Sequence, residues 1–253
     1  MLSIGSLEPD DIPATVDLHR KNLRLGLFPK LGREFLGLYQ RSFAQSPYGI
    51  ALVARGDDGV IGALFATTSN AEHYRWVTRN MGMQMAMVGG TAMLTHPHAA
   101  ITFARTRLGR YSRGLARHMG LTASSPSTGA VAPQLSVLSH IVTSDAARRR
   151  GIGRQLIETF KAKASARGVH KAVLVTEEGG LGTPFFERLG CRLVNSRQSQ
   201  DGAVLREYKM ILDEEGAYED LDDNRNHRIV VRAYPNRLGA VHPSPLGAAA
   251  ERS

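Results

Sequence analysis

Between residues 138 and 160 the chain reads LSHIVTSDAARRRGIGRQLIETF. A strand ends at Thr143, a short loop follows, and Arg148-Arg149-Arg150-Gly151-Ile152-Gly153 opens a helix. Glycines at 151 and 153 let a backbone come close to a ligand. The unpaired N–H groups of a first helical turn, aided by the helix dipole, suit a pyrophosphate. Three arginines add charge that phosphates pair with. For an isolated Gly-x-Gly the plainer account is a solvated basic turn. The order strand, loop, Arg-x-x-Gly-x-Gly, helix is what gives this stretch weight. A P-loop or a dinucleotide fingerprint does not fit: no Gly-Lys-Ser/Thr is present, and no Gly-x-Gly-x-x-Gly follows an early strand.

The elements that must position this stretch are legible on both sides of it. Leu2 to Ser6 reads as a short strand, and Glu8, Asp10 and Asp11 place acid where a helix dipole favours it. Ile12, Val16 and Leu18 begin an apolar helical face. A second helix is predicted from Gly32 to Ala44, and Pro47 stops it. Gly49 to Ala54 and Val60 to Ala66 form a hairpin around Asp57-Asp58-Gly59. Downstream, Leu135 to Val142 is a strand and Gly151 to Arg167 a helix with Leu156, Ile157, Phe160 and Ala164 on one face. Lys171 to Thr176 is a continuous apolar run of the kind buried on both sides. Thr183 to Leu189 is a short helix closed by Gly190. Cys191 to Ser196 and Val204 to Leu212 are strands joined around Asp201-Gly202.

Together these features resemble the GNAT superfamily of acetyl-CoA-dependent N-acetyltransferases. Arg148-x-x-Gly151-x-Gly153 after a strand is similar to that family's cofactor motif. So are the strand KAVLVT, the helix TPFFERLGC and the upstream hairpin GIALVARGDDGVIGALFATT. The resemblance covers residues 1–70 and 134–212. It implies an α/β fold: a mixed, mostly antiparallel, twisted sheet of about six to seven strands flanked by helices. On this reading residues 1–213 are the acetyltransferase domain, interrupted by a helical insertion at 71–121 and a loop at 122–133. Residues 214–253 form a tail of low order. The resemblance further implies acetyl-CoA as co-substrate and no metal. The backbone of Ile141, Val142 and Thr143 would pair with the pantetheine as an added strand would. Arg148, Arg149, Arg150, Gly151, Ile152, Gly153 and Arg154 would hold the pyrophosphate.

The proton chemistry departs from the family pattern. Many members keep a Glu on the strand before the arginine motif, and counting back from Gly151 that position is Val137. Many use a Tyr late in the short helix, and here it is Phe186. A cofactor-contacting Asn is replaced by Gly179 or Gly180. The catalytic residues are therefore unassigned, with Ser139, His140 and Tyr208 as candidates. Strand alternation puts Ser139 on the face of Val137 and His140 on the other. A packed histidine and a core or rim tyrosine are the plainer readings of His140 and Tyr208. Glu177 and Glu178 follow the buried strand and reach toward the acceptor side unless they are simply an exposed loop. Cys191 reads as packing rather than a nucleophile.

Composition narrows the setting. The net charge is +9 and the pI about 10.0, which favours acidic partners without choosing among them. One cysteine excludes an intrachain disulfide and points to a reducing, cytoplasmic environment. The start MLSIGSLEPDD does not read as a signal peptide. Within the insertion, Arg110, Arg113 and Arg117 share one helix face. That face suits an acidic acceptor or, more plainly, solvent. His96 and His98 lack the further ligands of a metal site. Basic and apolar helices side by side permit contact with a membrane surface. Nucleic-acid binding is disfavoured by the scarcity of aromatics among the insertion's arginines. The expected function is direct acetyl transfer from acetyl-CoA to a small-molecule or peptidyl amine in a ternary complex. The alternative is an acyl-CoA-binding protein of the same fold without turnover. Oligomeric state is left open.

Overall fold

A computed structural model describes residues 2–23, 31–95, 136–199, 202–217 and 220. The order of elements is β1 (Ser3–Ser6), α1 (Ile12–Asn22), α2 (Gly32–Gln45), β2 (Gly49–Gly56), β3 (Gly59–Thr67), α3 (Asn70–Thr95), β4 (Ser136–Thr143), α4 (Ile152–Ser165), β5 (Lys171–Glu177), α5 (Gly182–Arg188), β6 (Arg192–Gln198) and β7 (Val204–Ile211). The strands make one seven-stranded sheet in the order β1-β2-β3-β4-β5-β7-β6. Only the β4–β5 pair is parallel; every other neighbouring pair is antiparallel. The expected mixed, mostly antiparallel α/β sheet is what forms.

Both faces of the sheet are covered, which is why its middle strands are apolar at nearly every position. On one face Leu52, Leu64, Leu138, Leu174, Tyr208 and Met210 pack with Leu156, Ile157 and Phe160 of α4. On the other, Val53, Ala63, Phe65 and Val142 pack with Val16 of α1 and Leu36, Tyr39 and Phe43 of α2. The acids at the start of α1 have a defined task. Asp11 accepts from the Glu8 backbone N–H at 2.8 Å and from Nε of Arg55 at 3.0 Å. It thereby ties the helix start to β2.

The described part of residues 71–121, expected as an insertion, belongs to α3, a single helix of 26 residues that is longer than the run from Met81 to Leu94 marked out by the apolar pattern. It leans on α2 through Val77, Met81 and Leu38, with Met85 and Val88 beside them. Met83 and Met87 point outward. Its arginines at 110, 113 and 117, the histidines at 96 and 98 and the loop 122–133 lie outside the described residues. Leu135, expected to begin β4, does too. Among the described residues no helix is long and apolar enough to cross a membrane. Past Ile211, Asp213 accepts from the Gly216 backbone N–H at 2.9 Å. Asp220 pairs with Lys209 and, at 3.3 Å, with Arg192.

Candidate functional site

One irregularity in β4 shapes the site. Against β3, His140 pairs with Phe65 and Leu138 with Ala66, so Ser139 is an extra residue on the β4 side. Such a bulge bends the strand and increases its twist. On its other edge β4 pairs with β5 at Ser136↔Ala172, Val137↔Val173 and Leu138↔Leu174, and there the pairing stops. Both strands run on, β4 to Thr143 and β5 to Glu177. The sheet therefore opens beside residues 139–143, and backbone groups along that edge have no strand partner among the described residues. Ile141 and Val142 lie on this open stretch, Ile141 toward the α4 side and Val142 toward the α1–α2 side.

The chain then turns into α4 through a short 3-10 segment, Asp145–Ala147. Arg149 has φ of +59° and Gly151, the residue before the helix, φ of +79°. No side chain caps this start, and the first helical bond runs from the Gln155 N–H to the Gly151 carbonyl at 3.0 Å. The N–H groups of Ile152, Gly153 and Arg154, free among the described residues, are thus available to an anion. Arg149, Arg150 and Arg154 are exposed around them.

Two residues of the motif are used otherwise than the sequence suggests. The guanidinium of Arg148 donates to Asn22 Oδ1 at 2.6 Å and pairs with Asp145 at 2.8 Å, which fastens the turn to α1. At Gly153, a Cβ would stand 3.2 Å from the Phe185 ring, so the missing side chain makes room for α5 as well as for a ligand. Gly151 is different: a Cβ there meets nothing, and the positive φ alone asks for glycine.

The catalytic candidates are sorted by the bulge. Phe65 and Thr67 share a sheet face, and their partners His140 and Val137 therefore share it too. The expectation that His140 opposes Val137 is corrected: the extra residue, Ser139, resets the alternation. His140 looks toward α1 and α2. Its Nε2 lies 3.0 Å from Tyr39 Oη, and its ring meets that of His19 edge-on with centroids 4.6 Å apart. Burial, and secondarily the His19 charge, holds its pKa well below the ordinary histidine value. Burial lowers His19 to about 4 in the same way. Both rings are neutral at physiological pH. Val137 itself is buried, in the closed part of the seam rather than on the opening. Ser139 is half-buried at the mouth.

Tyr208 is fully buried on the α4 face, and its hydroxyl donates to Glu187 at 2.8 Å. Phe186 is buried in the same core. Cys191 packs there as well, and burial raises its thiol to about 11. Glu178 pairs with Arg206 on that side of the sheet.

A residue that sequence reasoning missed stands on the other side. Glu207 lies on β7 between β5 and β6, opposite Val175 and Asn195. It is 4% exposed, and its Oε1 has no hydrogen-bond partner among the described residues. Burial raises its pKa; the Arg197 charge and a hydrogen bond from Asn195 act against that rise. Register puts it on the face that Val137, Val173 and His140 share. An acid in the middle of an interior strand was the available signal, since such positions rarely hold an unpaired carboxylate.

A family model described as an acetyltransferase (GNAT) domain matches residues 112–212. No curated protein matches the sequence. Among solved structures, the fold is similar to that of an N-acetyltransferase from Staphylococcus aureus Mu50. The TM-score there is 0.52 at 11% identity, over 84% of this chain and 99% of that one. It is similar as well to an acetyltransferase of the GNAT family from Streptococcus pneumoniae, with TM-score 0.51 at 15% identity over 84% and 100% of the two chains. A GCN5-related N-acetyltransferase from Kribbella flavida gives 0.50 at 15% identity over 83% and 97%.

Proposed function

We propose that this chain, whose residues 112–212 match a GNAT acetyltransferase domain and whose sheet has the fold described above, transfers the acetyl group of acetyl-CoA to an amine by direct attack in a ternary complex. The observation that carries the reading is the seam that closes at Leu138↔Leu174 and opens beyond it, with the uncapped start of α4 at its end. A pantetheine amide chain laid along residues 141–143 meets backbone donors and acceptors that otherwise lack partners. The pyrophosphate then falls at Gly151 to Arg154, among N–H groups and arginines. The thioester carbonyl is thereby held in the opening, where Ser139 and His140 form the β4 bank.

Positioning does much of the work in this reading. Bringing an amine lone pair to an oriented thioester removes most of the entropic part of the barrier. His140 contributes as a neutral, fixed polar surface: Tyr39 anchors its ring, and a depressed pKa makes it a weak proton acceptor. Tyr208 takes no part, because its ring is buried on the α4 face and its hydroxyl is committed to Glu187, an exposed residue of α5. The acceptor is a small-molecule or peptidyl amine that enters from the α1–α2 face.

A matched pair at Gly151 tests the cofactor half. Asparagine tolerates the left-handed backbone of this position, and aspartate adds one charge in nearly the same shape. Acetyl-CoA should raise the melting temperature of the wild type and of Gly151→Asn, because it binds the folded state. Gly151→Asp should fold and lose most of that rise. An equal rise in both variants places the phosphates elsewhere.

A further inference from the structure

We propose that Glu207 receives the acceptor's ammonium and takes its proton, so that this protein acts on cationic amines bound between His140 and β7; the proposal rests on the N-acetyltransferase reading above. Three observations on different strands converge on it. The bulge at Ser139 opens the sheet and leaves Val175 at the β5 edge of the gap. Glu207 is the direct cross-strand partner of Val175 on the same face, which sets the two side chains about 5 Å apart at Cβ. An amine standing over Val175 is then within a hydrogen bond, or one bridging water, of the carboxylate. Finally, Oε1 of Glu207 is buried without a hydrogen-bond partner among the described residues. A buried acceptor atom with no donor is costly in any fold, and a ligand N–H is the donor that would satisfy it.

The two banks of the opening differ in charge. Toward α1 and α2 stand the neutral rings of His19, His140 and Tyr39. On the far bank, among the described residues, the ionisable groups of this face are Lys171 and Glu177 on β5, Arg192 and Arg197 on β6 and Lys209 beside Glu207 on β7. The ammonium of Lys209 is held by Asp220, which also takes Arg192. Only Glu207 among them combines burial with an unsatisfied oxygen. Burial makes it a stronger base than an exposed carboxylate, which matches it to an ammonium better than the depressed imidazole of His140.

The step balances as follows. The acceptor ammonium gives one proton to Glu207. The freed nitrogen pair forms the N–C bond to the thioester carbon, and the carbonyl pair moves onto oxygen. The oxygen pair then re-forms the carbonyl, the C–S bond breaks, and sulfur leaves as thiolate with the pair of that bond. The thiolate takes the second proton from the now cationic nitrogen, which gives the amide and free CoA thiol. Glu207 returns its proton to water.

The test is release of CoA thiol by the full chain from about pH 6 to pH 10, with benzylamine, ethylenediamine and an alanine-terminated tripeptide as acceptors. Acetyl-CoA binding is measured alongside by calorimetry. Glu207→Gln should keep acetyl-CoA affinity while losing about 100-fold in kcat/KM at neutral pH. That deficit should shrink toward the amine's own pKa, where the acceptor arrives already deprotonated. Arg197→Ala, at a half-buried position, removes a cation that favours ionised Glu207. Its acid limb in kcat/KM should move to higher pH. This second variant decides the matter if Glu207→Gln does not fold. Unchanged rate and pH profile in Glu207→Gln, an unmoved limb in Arg197→Ala, or joint loss of acetyl-CoA binding and turnover in a folded Glu207→Gln overturns the assignment and leaves the transferase reading standing. Wild-type protein that binds acetyl-CoA yet releases no thiol with any of these amines overturns both.

Discussion

Replacing Val137 with glutamate separates two accounts of where the sheet opens. Counting along the sequence puts this residue where related enzymes carry a catalytic glutamate, so the substitution looks restorative. The structure gives the opposite forecast. Val137 is 2% exposed and sits between Thr67 of β3 and Val173 of β5, one residue before the seam ends. Along that row the next charged side chain is Lys209, a further strand away and already engaged by Asp220. A glutamate here would be a buried acid without a cation, which costs about 3–5 kcal/mol when ionised. For a chain of this length each kcal/mol lowers the melting temperature by about 2–4 °C, so the drop is on the order of 10 °C. The sign of the pH dependence follows from burial, which raises the folded pKa above the unfolded value of about 4.3. Between those two values the folded state holds a proton that the unfolded state has released. Stability then falls as pH rises, by up to about 1.4 kcal/mol per pH unit, and levels off above the folded pKa. Melting curves of both proteins from about pH 4 to pH 9 check this. A variant that melts within about 2 °C of the wild type at pH 8 would refute the reasoning and show that Val137 faces the acceptor.

Two further outcomes follow from the same geometry. Gly153→Ala gains helix propensity of up to about 1 kcal/mol, yet its Cβ presses on the Phe185 ring at 3.2 Å. A double-mutant cycle with Phe185→Leu should therefore show a coupling of about 1 kcal/mol in urea unfolding, and strict additivity would mean that α5 shifts freely. Deleting Ser139 should remove the bulge while keeping Leu138 and His140 on their present faces. The shortened chain should keep cooperative melting but lose stabilisation by acetyl-CoA, and a retained shift would show that the opening does not depend on the extra residue.

Much of this architecture is written in residue types. The turn Asp57-Asp58-Gly59, the run Lys171 to Thr176 and the face Leu156-Ile157-Phe160 each specify an element by local pattern, and each element is found. The arginine motif is legible because glycine at a positive φ and an uncapped helix start are local matters too. What stays hidden depends on pairing between distant strands. Nothing around Ser139 marks it as an extra residue, since the bulge is defined only against Phe65 and Ala66. That one slip reversed the expected side of His140. Likewise, an acid in mid-strand is the one sign Glu207 gives, and its face and burial follow only from pairing with Val175 and Asn195. Tyr208, its neighbour, becomes a core residue through packing under α4, with its hydroxyl meeting Glu187 on a helix 21 residues earlier in the chain.

The bulge at Ser139 also sets how this protein tolerates genetic change. The slot proposed for the cofactor is lined by main-chain atoms, and these are the same whichever amino acid is encoded, proline excepted. Codon replacements at 139–143 alter the trim of the slot without closing it. Loss of a single codon does what no replacement can: it restores the ladder to even count and zips the two strands together. Drift by substitution is therefore cheap along this segment, whereas a change in length is not, and lineages of the protein should diverge in the letters of this strand long before they diverge in their number.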